Sequence, residues 1–206
     1  MLRSAQMTLL DTFTLPTVSP RLRALERGTA VVAVTALTIA AAQISVPLPF
    51  TPVPFTLQPM IVLVGAAALG ARLGAASQLL YLTLGVLGLP VFAASAALPP
   101  GAARLLGPTG GYLISYPLAA FVTGRLAECG FDRRYATSVV AMAAGLIAVY
   151  VFGVLQLAVV SQPAIGVRGA LAAGLFPFVL ADLLKLATAA AALPYVWTSF
   201  SKISKN

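Results

Sequence analysis

Long apolar stretches, cut at intervals by proline, glycine and charge, organise this chain. The first runs from about Gly28 to Val46 and stops at Pro47 and Pro49. A second covers about Gln58 to Ala71, and a third, after a turn containing Arg72, about Ala75 to Leu89. A fourth extends from near Thr109 to near Ala127, a fifth over about 136–160 and a sixth over about 170–198. A helix needs about 20 mostly apolar residues to cross a hydrocarbon core roughly 30 Å thick. The pattern therefore predicts six membrane-spanning helices. The breaks are informative too: Pro47, Pro49, Pro52 and Pro54 exclude helix and favour a stiff, extended loop. A longer loop over 91–108 holds Pro99-Pro100-Gly101 and Arg104, and a connector spans 161–169. Residues 1–28 read as a polar-to-mixed cytoplasmic extension with a short interfacial turn, 29–200 as the membrane domain and 201–206 as a tail. The Ala40-Ala41-Ala42 run resembles a signal-peptide cleavage site, but a long region precedes it and further spans follow, so it reads as part of a span.

Composition strengthens this reading. Of 206 residues, 60% are hydrophobic and only 9% charged, and mean hydropathy is +0.97. A soluble domain carries roughly 25% charged residues. The expected class is an all-α integral membrane protein. Its net charge of +8 would suggest an anionic partner such as nucleic acid in a soluble chain. Here the distribution gives another account. An even number of spans puts both termini on one side, with Arg3, Arg21, Arg23, Arg27, Arg72, Arg125, Arg133, Arg134, Lys202 and Lys205. The opposite side holds only Arg104 and Arg168, while Lys185 lies within a span. That asymmetry predicts cytoplasmic termini and needs no nucleic acid.

Several chemistries are excluded. With no histidine there is no imidazole for acid–base catalysis, for a Ser-His triad or for a zinc site. Cys129 is the one cysteine and can form neither an internal disulfide nor a thiolate cluster; it reads as incidental. No Gly-Lys pair exists, so there is no P-loop, and any nucleotide-driven motor must lie on another polypeptide. Neither a metal nor a cofactor is expected.

Asp182 and Lys185 form the one opposite-charge pair inside an apolar stretch, and their i, i+3 spacing puts both on one helix face. Each charge at a bilayer centre costs about 2.5–3.5 kcal/mol on insertion scales, and pairing offsets only part of that. Two readings stand: an internal ion pair that locks the sixth helix, or a polar ligand site. An ionisable residue within the membrane favours the second. A carboxylate accepts N–H bonds and an ammonium donates to a carbonyl or anion. With aromatics available from Phe50, Phe55, Tyr81, Phe92, Tyr112 and Tyr116, such a site suits a small apolar molecule with a few polar corners. The proline loop and the 91–108 loop, both external by the topology above, would form a lid. A less favoured reading is an intramembrane enzyme with Lys185 or Asp182 as base, and the lack of histidine and of a second intramembrane carboxylate opposes it.

Gln43, Gln58, Gln78 and Gln156 read as helix–helix hydrogen bonds, Gln58 at a loop–helix junction being the best placed to meet a ligand. Gly107-Pro108-Thr109-Gly110-Gly111-Tyr112 opens the fourth span; Thr109 is expected to cap it, leaving amides for packing or for a polar ligand group. Small residues at i, i+4 (Ala36 with Ala40; Ala66, Gly70 and Gly74) allow close helix approach in lipid, with packing inside the chain the simpler reading.

Taken in order, these motifs resemble the BioY family, the biotin-binding S components of energy-coupling factor (ECF) vitamin transporters. The likeness rests on Val46-Pro47-Leu48-Pro49-Phe50-Thr51-Pro52-Val53-Pro54, Thr56-Leu57-Gln58, Tyr81-Leu82, Gly85 through Phe92, Gly107 through Tyr112 and Asp182-Leu183-Leu184-Lys185. It covers nearly all of residues 30–190 and leaves 1–28 outside. It implies a six-helix S-component fold in a prokaryotic cell membrane, capturing biotin from outside and acting as no enzyme, with an S component for another vitamin as the alternative. A transmembrane coupling (T) protein and two ATPase subunits would be its partners, with a homo-oligomer left open. Carried onto this chain, Asp182 and Lys185 become the leading biotin ligands, with Tyr112, Gln58, Phe50 and Tyr81 around them. Arg104 is the candidate for the valerate carboxylate, and Ala36 and Ala40 match the face that meets the coupling protein. The loop Ala93-Ala94-Ser95-Ala96-Ala97 departs from the glycine-rich form frequent in the family.

Overall fold

Ser19 starts the first long helix. Its hydroxyl accepts from the Leu22 amide at 3.4 Å and Pro20 occupies the first turn, a pairing that favours helix initiation. In the computed structural model, which describes residues 8–13, 19–93, 100–161 and 163–203, helix α2 therefore spans Pro20–Gln43 rather than starting at Gly28. Its arginines Arg21, Arg23 and Arg27 prolong the apolar part with a charged turn or two. A short helix α1 (Leu9–Phe13) precedes it. Arg3, Lys205 and the alanine-rich loop after Ala93 lie outside the described residues, as does the end of the tail.

The proline-rich stretch closes into a hairpin. β1 (Ser45–Val46) pairs antiparallel with β2 (Phe55–Thr56), Ser45 opposite Thr56 and Val46 opposite Phe55. Next come α3 (Gln58–Leu69) and α4 (Ala71–Val86), separated by Gly70 alone. Gly70 has φ 85°, and an added Cβ would approach the Glu128 carboxylate at 2.7 Å, so glycine suits this corner twice over. Glu128 Oε1 accepts from the Ala71 amide at 2.9 Å and caps α4 from across the molecule. Arg72 consequently sits in the first turn of α4, not in a loop, and the third apolar stretch forms helix from Ala71 to Val86 rather than from Ala75 to Leu89.

α5 (Ala103–Leu106) is a short helix within the long loop, and α6 (Gly110–Glu128), a 3-10 turn (Phe131–Arg133) and α7 (Tyr135–Val160) follow. The sixth apolar stretch is not one helix. It divides at Leu175 into α8 (Gly166–Gly174) and α9 (Phe176–Ile203). Pro177 explains the break, because it has no N–H to give the carbonyl of Ala173 and its ring crowds the preceding turn.

α6, α7 and α3 pack at the centre through small residues. Gly145 faces Thr123 and Leu63, Gly153 faces the Tyr112 ring, and Gly111 faces the Phe152 backbone. Such positions let helices approach where lipid removes the hydrophobic drive. A Cβ on Gly74 would lie 2.8 Å from Ala66 Cα, so that predicted small-residue pair joins α3 to α4. Ala36 and Ala40 instead lie exposed on the outer face of α2. Among the described residues, segments Pro20–Gln43, Tyr135–Val160 and Phe176–Ser199 are long and apolar enough to cross a membrane unaided.

Candidate functional site

The hairpin, α3, α5, α6, α7, α8 and α9 line a cavity of about 630 Å³, counted to its open mouth. α9 supplies its charged floor. Asp182 and Lys185 stand one turn apart with side chains only 9% and 12% exposed, and Lys185 Nζ donates to Asp182 Oδ1 at 2.8 Å. Two further partners complete the cluster. Lys185 Nζ donates to the Thr56 carbonyl at 2.7 Å, and the Tyr150 hydroxyl donates to Asp182 Oδ2 at 2.6 Å. The ammonium also sits 3.6 Å from the Phe55 ring centroid, a cation–π contact, and Phe55 stacks on Phe178 at 6.4 Å. A buried ion pair offsets its desolvation only when the remaining donors and acceptors are met, which is the service Thr56 and Tyr150 perform. Capacity is left over. An ammonium has three N–H donors and a carboxylate about four acceptor positions, so at least one donor and two acceptor positions remain for a ligand.

The hairpin register brings these atoms together. Pairing of Val46 with Phe55 fixes which way β2 faces, and strand alternation then sends Phe55 and Thr56 to opposite sides. The Phe55 ring reaches the ammonium while the Thr56 main chain accepts from it.

The other lobe is built on α5. Arg104 lines the cavity and is 6% exposed. Gln156 Nε2, from α7, donates to the Leu105 carbonyl at 2.7 Å and the Gly107 carbonyl at 2.9 Å, so α5 is pinned over the cavity. Burial draws the Arg104 pKa below the usual arginine value, with Tyr81 acting the other way; arginine remains cationic through such shifts. Thr109 does not cap α6: its backbone is helical, its hydroxyl makes no capping bond, and Oγ1 is buried without a hydrogen-bond partner on the cavity wall. A helical Thr109 has passed beyond the extended backbone that a capping side chain requires.

The remaining predicted residues divide. Tyr112 and Gln58 line the cavity. The Tyr112 hydroxyl donates to the Gly174 carbonyl at 2.8 Å, at the end of α8, and Gln58 Nε2 donates to the Tyr81 hydroxyl at 2.6 Å. Tyr81 stands behind the wall, fully buried, edge-on to Phe92 at 5.5 Å and beside Tyr116. It supports the lining and does not form it. Phe50 is 63% exposed at the hairpin turn and is absent from the lining. Gln78 and Gln156 join helices as expected, Gln78 by donating to Thr38 Oγ1 at 3.3 Å, whereas Gln43 donates to the Pro90 and Val91 carbonyls of the loop after α4. Tyr150, which no sequence motif singled out, is the hydroxyl that orients Asp182. The available signal was a phenol in the middle of the most apolar helix.

A helical membrane protein whose polar groups gather at the corners of an apolar cavity is, by fold and site, a small-molecule binding protein. The BioY family model matches residues 13–202, and the chain belongs to that family. The match includes residues 13–28, which the motifs alone had left outside. Similar relatives include the "Biotin transporter BioY" of Thermotoga maritima, 43% identical over 159 residues, covering 76% of this chain and 86% of the relative. The "Probable biotin transporter BioY" of Pyrococcus horikoshii is 41% identical over 158 residues, covering 75% and 85% respectively. A crystal structure of the S-component for biotin from an ECF-type ABC transporter superposes with a TM-score of 0.76 at 25% identity, covering 88% of this chain and 95% of that one.

Proposed function

We propose that this chain is the biotin-capturing S component of an ECF-type transporter. The observation that carries the reading is the Asp182–Lys185–Tyr150–Thr56 cluster at the floor of the cavity. The ureido ring of biotin offers two N–H donors and one carbonyl acceptor, matching the acceptors left on Asp182 and the donor left on Lys185. Phe55, Phe178 and Phe92 supply apolar surface for the thiophane ring and alkyl chain. Arg104, which lines the cavity as Thr109 does, meets the valerate carboxylate by a charge-assisted bond. Among the carried-over residues, Tyr112 and Gln58 shape the wall, Tyr81 acts from behind it and Phe50 stays outside.

The protein sits in a prokaryotic cell membrane with six crossings and both termini cytoplasmic, as the distribution of its basic residues supports. In that orientation the hairpin and the loop carrying α5, which both line the cavity, lie on the external side. Ala36 and Ala40, exposed on α2, offer a close-packing face to a transmembrane coupling protein, and two ATPase subunits supply the energy this chain has no P-loop to harvest. Calorimetry with the purified full chain is the test. Saturable biotin binding that thiamine, riboflavin and folate do not compete is expected; no biotin binding, or displacement by one of the others, overturns the assignment.

A further inference from the structure

A second recess, on the opposite side of Tyr150 from the biotin cavity, faces outward between α7 and α9. It holds about 1050 Å³ counted to its open side and is lined by Ile147, Val151, Leu155, Leu171, Leu175 and Leu183 among others, without one charged group. Its walls belong to α7 and α9, with mean hydropathy 2.3 and 1.7 over their spanning segments, so the groove lies at bilayer depth. α8 contributes Leu171 to the lining.

We infer that this groove holds one acyl chain of an anionic phospholipid whose phosphate rests on Arg168. The groove's extent along α7, from Ala143 to Leu155, is about 18 Å at ~1.5 Å per residue. One leaflet's hydrocarbon is about 15 Å, half of the ~30 Å core, so the length suits a single chain entering from one interface. The charge is at the correct end. Arg168 lies on α8 three residues before Leu171, a spacing that places the two on one helix face. Arg168 is exposed and, among the described residues, holds no hydrogen bond or ion pair. A cation one turn from Leu171 of an apolar slot complements a lipid phosphate above its chain. The same slot touches the ligand site through Tyr150, which lines both cavities. An ordered chain there backs the phenol that holds Asp182.

The test uses the full chain in phosphatidylcholine nanodiscs containing a trace of phosphatidylglycerol with a photoactivatable diazirine on one acyl chain. After irradiation, peptide mapping should place adducts on Ile147, Val151, Leu171 and Leu183 several-fold above equally exposed apolar residues elsewhere, such as Leu79 on α4 and Leu118 on α6. Arg168→Ala should lower that enrichment about fivefold, the worth of one interfacial basic residue, and Arg168→Lys should keep most of it. The equivalent phosphatidylcholine probe should show the weaker preference already in the unaltered chain. Adducts spread evenly over all lipid-facing helices would overturn the proposal. So would enrichment indifferent to Arg168, or a groove free of adducts in which chain-to-chain crosslinks reveal a second copy as its occupant.

Discussion

Two aspartates mark opposite parts of α9, Asp182 on the helix itself and Asp132 packed against it, and their surroundings are alike. Asp182 accepts from the Tyr150 hydroxyl at 2.6 Å; Asp132, in the turn after α6, accepts from the Trp197 indole N–H at 2.6 Å. Beside each stands a cation over an aromatic ring, Lys185 over Phe55 at 3.6 Å and Arg133 over Trp197 at 4.9 Å. Their difference is space. Asp182 and Lys185 border the cavity, whereas Asp132 is 1% exposed and its Oδ1 is buried without a partner. The Asp132 group fastens the α6–α7 turn to α9 and has nowhere to admit a ligand. Similar local chemistry thus forms a cavity floor at one end and a latch at the other, according to what the surrounding helices leave open.

The sharpest way to break this contrast is at the floor. Asp182→Asn and Lys185→Ala should each weaken biotin binding by about 30- to 1000-fold, roughly 2–4 kcal/mol, because each strands a buried charge-bonding partner. Calorimetry on both purified variants checks it, and equal losses from Asp132→Asn would erase the distinction. Next in size is Arg104→Gln, expected to cost at least about tenfold against biotin but little against biotin amide, which lacks the carboxylate. A loss of equal size for both compounds would mean that Arg104 supports the loop and does not meet the carboxylate.

At the latch the expected effects are smaller and fall on stability. Trp197→Phe removes the donor to Asp132 and should destabilise by about 1–2 kcal/mol, read as a lower melting temperature, with biotin affinity unchanged within about twofold. The smallest effect is a pH dependence. Burial pushes the Asp132 carboxyl above its usual pKa, opposed in part by the Trp197 bond, a backbone amide and Arg133. The folded protein then binds this proton more tightly than the unfolded chain, so stability is fullest below the unfolded value of about 3.9 and falls as pH rises through the raised folded value. Asp132→Asn should lack that loss and gain on the unaltered protein between pH 4 and pH 7, seen in paired melting curves. A parallel pH response in both would show that Asp132 titrates normally.

The floor was readable in the sequence because charge inside an apolar stretch is costly and therefore conspicuous: Asp182 and Lys185 needed no structure to be found. Their partners were not conspicuous. A tyrosine in an apolar helix is no anomaly, so Tyr150 passed unnoticed, and the Thr56 carbonyl is a main-chain atom that no residue type announces. The long helices followed from the apolar stretches, yet their ends, and the division of the sixth, depended on local events. Ser19 and Pro20 advance α2, Gly70 with Glu128 fixes the α3–α4 corner, and Pro177 divides α8 from α9. Pro177 was a visible signal that the unbroken apolar composition around it outweighed. Phe50 misled for the converse reason. Its proline-rich setting was correctly tied to the cavity, but the hairpin register turns Phe55, not Phe50, toward the ammonium.

The bond between Lys185 and the Thr56 carbonyl also bears on how this protein tolerates change. It joins residues 129 apart in sequence, and its acceptor belongs to the backbone, so no side chain placed at position 56 can abolish it by chemistry alone. The tie is vulnerable instead to altered path length. An inserted or deleted residue between Pro47 and Pro54 would shift the register of β2 and carry the carbonyl away from the ammonium. For this strap, the spacing of the hairpin is the heritable quantity, and the identity of the residue bearing the acceptor is nearly free to vary.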